Sequence, residues 1–207
     1  MLDLDKVNRD LRHASPEKII KWAIGQRKRI IATTSFGKNA AALLNIISTL
    51  DPKMITVWVD TGYNLRDTYI VANKLMKDIP LDYRVYSPLI TSERRNAIMG
   101  GIPSIDDEAQ HADFTRQVKL EPFNRAINEL SPEVWITGLR REETEHRKSL
   151  DIVSIDGRGI LKVSPLFYWS DGEVDQYMQE NNLYSCKHYF DPTKVFAGRE
   201  CGLHTTV

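Results

Sequence analysis

The sequence predicts an α/β fold, a mostly parallel sheet with helices on both faces, ending in a mobile C-terminal tail. Three observations carry this expectation. Short apolar runs rich in β-branched residues alternate with stretches of helical length. The run 54–59 (MITVWV) is apolar without alternation, as a strand buried on both faces must be. Turns built from glycine and hydroxyl residues follow three of the runs, where a strand hands over to a helix.

Taken in order, Ser15 and Pro16 read as an N-cap and first helical position, opening a helix to about residue 26. Residues 29–34 (RIIATT) form a first strand, and an Ala/Leu/Ile-rich helix follows over 39–50. The strand 54–59 ends at Asp60-Thr61-Gly62, and a helix covers 65–77. Residues 83–86 are a third strand. Residues 90–111 hold a short helix, then Gly100-Gly101 and an acidic loop. A helix spans 114–130, with Pro122 as a break or kink. Residues 133–137 are a fourth strand, closed by Gly138-Leu139-Arg140-Arg141. Segments 152–155 and 160–163 flank Asp156-Gly157-Arg158-Gly159 and read as a hairpin. A last helix covers 171–181. No linker or repeat interrupts the pattern, so residues 1–183 read as one domain and 184–207 as its tail.

Composition narrows the function classes. Lys plus Arg and Asp plus Glu both total 28, so no global basic field for nucleic acid or an anionic membrane exists. No stretch approaches the roughly 18 apolar residues of a membrane span. The N-terminus lacks the basic-then-apolar pattern of a secretory signal. Two cysteines do not make a disulfide scaffold, and a reducing cytoplasm is the expected compartment.

The chemistry gathers at the strand ends. Ser35-Phe36-Gly37 offers a hydroxyl, close backbone approach and helix N–H groups, which suit a phosphate; it also reads as an ordinary capped turn. Arg140, Arg141 and Arg147 give bidentate donors for phosphate or sulfate, or form a solvated loop neutralised by the intervening glutamates. Cys201 is the seventh residue counted back from Val207, beside Glu200 and close to His204. It reads as a mobile nucleophile, as a zinc ligand with Cys186, His188 and His204, as half of a disulfide with Cys186, or as a plain thiol.

Taken together, five ordered motifs resemble the phosphoadenylyl-sulfate (PAPS) reductase family, thioredoxin-dependent type. They are Ser35-Phe36-Gly37 with Ala40-Ala41, Asp60-Thr61-Gly62-Tyr63, and Lys119-Leu120-Glu121-Pro122 with Asn124-Arg125-Ala126; then Gly138-Leu139-Arg140-Arg141-Glu142 with Arg147, and Glu200-Cys201-Gly202-Leu203-His204. The resemblance implies an adenine-nucleotide α-hydrolase-like fold with a PP-loop. It implies that Cys201 attacks the sulfur of PAPS, leaving an S-sulfonated cysteine and releasing adenosine 3′,5′-bisphosphate. Thioredoxin or glutaredoxin, as reductant, then frees sulfite. By resemblance Ser35, Phe36 and Gly37 hold nucleotide phosphates, and Asp60, Thr61 and Gly62 line the adenosine pocket. Gly138, Arg140, Arg141, Arg147 and Lys119 meet phosphate or sulfate, and His204 orients the tail. A homodimer is left open, and neither a membrane nor nucleic acid is an expected partner.

The sister APS reductases bind an iron–sulfur cluster through a Cys-Cys pair and a later Cys-x-x-Cys. Phe114 and Thr115 stand at the first pair here, and the chain's two cysteines cannot supply four thiolates, so no cluster, other cofactor or metal is expected. One departure stands out. The family's longer segment before Glu-Cys-Gly-Leu-His is replaced by residues 184–199, with Asp191-Pro192-Thr193-Lys194 in its midst. Rival readings are an ATP-using PP-loop enzyme and a degenerate nucleotide-binding or zinc-stapled module.

Overall fold

A computed structural model describes residues 2–104 and 106–194. Six strands form one sheet: β1 (Ile30–Thr34), β2 (Ile55–Val59), β3 (Asp82–Tyr86), β4 (Val134–Ile136), β5 (Val153–Ile155) and β6 (Leu161–Val163). Their order is β3-β2-β1-β4-β6-β5, and every pair is parallel except the β5–β6 hairpin. β1 to β3 run outward on one side, and β4 then lies on the other side of β1. The order therefore reverses at the β1–β4 pair, the switch point where open α/β sheets bind ligands.

Alternation along the strands divides the core in two. Ala32, Trp58, Val134, Ile136 and Val163 face the larger layer. There they meet α2 (Pro16–Gly25), α3 (Ala40–Leu50), α4 (Arg66–Asp78) and α9 (Asp171–Glu180). Ile31, Val57 and Trp135 face the opposite layer, where Phe123, Ala126 and Ile127 cover them.

The element positions follow the sequence reading closely, with three differences. An N-terminal helix α1 (Leu4–Leu11) was not expected; Asp3 caps it, accepting from the Lys6 amide at 3.0 Å. Its Asn8 amide imitates a neighbouring strand: it donates to Val153 O at 2.9 Å and accepts from Val153 N at 2.8 Å, covering the β5 edge. Beyond α5 (Ser92–Met99), the stretch read as an acidic loop already starts α6 (Glu108–Thr115), capped by Asp107. The expected helix 114–130 is broken into α6, a π turn (Arg116–Leu120) and α7 (Glu121–Leu130). Pro122 is the cause: its ring crowds the carbonyl four residues back, and a turn closed by Glu121 N–H to Arg116 O makes the room. The inserted residue turns the helix face by about 100°, and Lys119 lies within this π turn, its side chain at the switch-point cleft.

Residues 184–194, assigned to the tail from sequence, are packed against the domain. Cys186 is buried, its Sγ 3.7 Å from Thr68 Oγ1 and donating to His188 O at 3.3 Å. Ser185 Oγ donates to Lys38 O at 3.0 Å. Among the described residues no helix is long and apolar enough to cross a membrane.

Candidate active site

A cleft of about 300 Å³ opens over the carboxyl ends of β1, β2 and β4. Its floor is the β1–α3 turn. Thr33, Thr34, Ser35 and Gly37 line it, and Asn39 and Ala40 open α3 there. The Asn39 side chain makes no capping hydrogen bond, so the first-turn N–H groups face the cleft as donors with a positive helix end behind them. A side chain at Gly37 would stand 3.5 Å from both Ser35 Oγ and the Tyr189 ring, which closes this wall.

Four cations line the cleft, Lys38, Lys119, Arg147 and Lys194, against two carboxylates, Glu143 and Asp191. The excess suits a ligand with several negative charges. Arg147, in the one-turn helix α8 (Glu145–Lys148), is buried and ion-paired to Glu143, four residues away. Lys119 is buried and ion-paired to Asp191, and its ammonium also donates to Thr193 Oγ1 at 3.2 Å. Burial opposes the charge on Asp191; the Lys119 ammonium and the Thr193 hydroxyl and amide outweigh it and hold the carboxyl below its ordinary value.

Of the residues expected from sequence to bind substrate, Ser35, Gly37, Thr61, Lys119, Gly138 and Arg147 share this cleft. Five others do not line it, each for a visible reason. Phe36 is fully buried, its ring edge-on to Trp58 with centroids 5.0 Å apart, and only its backbone belongs to the turn. The Asp60 carboxylate is occupied within its own loop, accepting from Gly62 N and Asn64 Nδ2, each at 3.0 Å, and from Tyr69 OH at 2.9 Å. Burial, then this bond to Asp60, pushes the Tyr69 hydroxyl up to about 12. Gly62 serves the same loop through its φ of +77°. Arg140 is buried and tied to the start of α9, donating to Asp171 Oδ1 at 2.6 Å and Trp169 O at 3.3 Å, with its Nε 3.4 Å from Glu143 Oε1. Arg141 is exposed, its guanidinium 5.9 Å from the Tyr168 ring centroid. Cys201 and His204 lie outside the described residues.

Sequence reasoning missed Lys38, Glu143, Tyr189 and the docking of Asp191 and Lys194. Glu143 had a signal, its place four residues before Arg147 at helical ion-pair spacing; the others had none. Of the zinc set, Cys186 is buried, and among the described residues no three His, Cys, Asp or Glu side chains gather as a metal site.

A cation-lined cleft at the switch point of a parallel sheet, over the uncapped start of a helix, is the architecture of a nucleotide-binding α/β protein. Residues 29–192 match the phosphoadenosine phosphosulfate reductase domain, and the chain belongs to that family. Phosphoadenosine 5′-phosphosulfate reductase of a Synechocystis species is 32% identical over 198 residues, 95% of this chain and 79% of that one. The Buchnera aphidicola protein of the same name is 31% identical, covering 97% of this chain and 91% of its own. Among solved structures, phosphoadenylyl-sulfate reductase from Candida auris, a phosphate complex, superposes with a TM-score of 0.77 at 25% identity, covering 88% of this chain and 87% of that one. The U34-tRNA thiolase NcsA of Methanococcus maripaludis, with its 4Fe–4S cluster, shares the fold alone, at 14% identity and a TM-score of 0.52 over 79% of this chain and 59% of its own.

Proposed function

We propose that this chain is an oxidoreductase that converts 3′-phosphoadenylyl sulfate to sulfite and adenosine 3′,5′-bisphosphate in sulfate assimilation, with Cys201 as its nucleophile. The observation that carries the reading is the cationic cleft over the uncapped start of α3, in a chain of this family. The nucleotide phosphates sit against the Ser35–Gly37 turn and the α3 amides, and Arg147 and Lys119 meet the phosphosulfate. The Cys201 thiolate attacks the sulfur; a sulfur–sulfur bond forms, and the bond from sulfur to the bridging oxygen breaks. The oxygen leaves with its electron pair on adenosine 3′,5′-bisphosphate, whose growing charge the cations and helix amides stabilise.

Cys201 follows Lys194 by seven residues, a reach of up to about 25 Å when extended. Lys194 itself lines the cleft, so the chain length suffices. The second half-reaction needs a thiol. Cys186 is buried and engaged, and it is the chain's only other cysteine. An external dithiol of the thioredoxin or glutaredoxin class, in a reducing cytoplasm, therefore supplies the electrons. Its thiolate attacks Cys201 Sγ, sulfite leaves with the electron pair of the sulfur–sulfur bond, and its second thiol resolves the mixed disulfide. His204 orients the tail.

The test is to incubate the protein with PAPS or APS without reductant and read its intact mass. PAPS should load one sulfonate onto Cys201, and adding thioredoxin should release sulfite. Cys201→Ser should bind the nucleotide and do neither. Full turnover by Cys201→Ser would overturn the mechanism.

A further inference from the structure

The segment that precedes Cys201 is held by a set of buried polar contacts, two members of which, Lys119 and Asp191, also line the cleft. Asp191 and Thr193 are both buried, at 9% and 1% exposure. The Asp191 carboxylate accepts from the Thr193 amide at 3.0 Å and the Thr193 hydroxyl at 2.6 Å, and pairs through its other oxygen with Lys119. The Lys119 ammonium also donates to Thr193 Oγ1, and the Lys194 amide donates to Asp191 O at 3.0 Å. On the other side, His111 Nε2 lies 3.1 Å from Pro192 O; a carbonyl only accepts, so this nitrogen carries the proton. His111 is fully buried and comes from α6, while Lys119 comes from the π turn.

A buried ion pair is a poor source of net stability, because desolvating both charges offsets most of their attraction. What it does supply is geometry. Here it joins positions 72 residues apart, and the docked peptide puts Lys194 and Tyr189 on the wall of the cleft. The chain continues from that wall to Cys201. We propose that Asp191 is a positioning residue for the sulfur-transfer step: the Asp191–Lys119–Thr193 clamp, braced by His111, fixes the origin from which Cys201 reaches the bound phosphosulfate. The proposal rests on the reductase reading above. It gives the Asp191-Pro192-Thr193-Lys194 stretch of this chain's shortened segment a definite task.

The prediction is a separation of binding from transfer. In the full-length protein at saturating PAPS without reductant, Asp191→Asn should slow sulfonate loading of Cys201 about 100-fold, the scale of a small misplacement of reacting groups. Its affinity for adenosine 3′,5′-bisphosphate should stay within about threefold of the parent or tighten, since the substitution removes a negative charge from the cleft. Alkylation of Cys201 by iodoacetamide should be unchanged, showing that the thiol itself is intact. Thr193→Val should slow loading, and Thr193→Ser, which keeps the hydroxyl, should restore it. Amide exchange at Thr193 and Lys194 should quicken in Asp191→Asn. Loading at the parent rate in Asp191→Asn, or a loss of nucleotide affinity in parallel with loading, would overturn the assignment. If the unmutated protein binds the nucleotide yet never loads Cys201, the reductase reading falls first and the clamp's role falls with it.

Discussion

Phe36 offers the sharpest test of how the β1–α3 turn is built, because the sequence puts the residue in a phosphate-holding turn and the structure puts its ring in the core. A ring in the cleft would make substitution a binding defect. The structure puts it in the core at 0% exposure, edge-on to Trp58 and 6.1 Å from the Tyr83 ring. Phe36→Ala then empties a buried aromatic site and should destabilise the fold by about 3–5 kcal/mol. For a chain of this size that lowers the thermal midpoint by roughly 6–20 °C. The backbone adds a second, independent sign. Phe36 has φ of +50°, where an L side chain costs about 1–2 kcal/mol and glycine does not. Glycine loses about 0.5–1 kcal/mol more chain entropy than alanine on folding. Phe36→Gly should therefore be more stable than Phe36→Ala by about 0.5–1 kcal/mol, the reverse of the order inside helices and strands. Urea denaturation of the two variants, with nucleotide titrations beside them, decides the matter. An alanine variant of unchanged stability and lost affinity would put the ring on the ligand, and a glycine variant weaker than alanine would refute the left-handed turn.

Three further outcomes follow from the same geometry. Gly62→Ala should cost about 1–2 kcal/mol, because φ is +77° and the new Cβ would meet Ser92 Cβ at 3.4 Å; Gly101→Ala, whose Cβ would find only Asn96 Oδ1 at 3.9 Å, is the matched control in urea. The Asp191 carboxyl titrates below its ordinary value in the folded state, so its stabilisation is complete above the unfolded value of about 3.9 and is lost as pH falls through the folded one. Stability measured against pH should accordingly fall less steeply below about pH 4 in Asp191→Asn than in the parent. Cys186, at 1% exposure, should resist iodoacetamide in native protein and react in denaturant; native labelling would refute its burial.

The strands were legible because buried parallel strands leave unbroken apolar runs, as at Ile55–Val59, and because their exits need turn chemistry, as at Gly62. Pro122 announced a disturbance in its helix, but not that the disturbance would be a π turn bearing Lys119 at the cleft. α1 had its signal, since Leu4, Val7 and Leu11 keep helical spacing, although eight residues are a short pattern to read. The arginines mark the boundary of what pattern can tell. Arg140 and Arg147 both follow β4 in one charged stretch of sequence and both end up buried, yet only Arg147 lines the cleft. What separates them is Asp171, placed by α9 to draw Arg140 away. The Lys119–Asp191 pair has no local trace of any kind, since only the folded chain brings the two positions together.

The carboxylates inside an anion-binding cleft are the last feature that calls for a physical reason. A bare guanidinium or ammonium at 4–9% side-chain exposure would bear a desolvation penalty of several kcal/mol. Glu143 and Asp191 offset much of that penalty and hold Arg147 and Lys119 in fixed directions. On the proposed reading, an arriving phosphosulfate would not have to displace them: each cation has several donor hydrogens, and sharing them between a carboxylate and a phosphate oxygen costs little reorganisation. Arg147 and Lys119 are thus held in advance by carboxylates of the cleft itself, while Lys38, 3.9 Å from Asp175 Oδ1, and Lys194 add positive charge to its lining. The arrangement trades some attraction for a site whose dipoles are already oriented when the sulfur is attacked, which is the condition under which electrostatic stabilisation lowers a barrier.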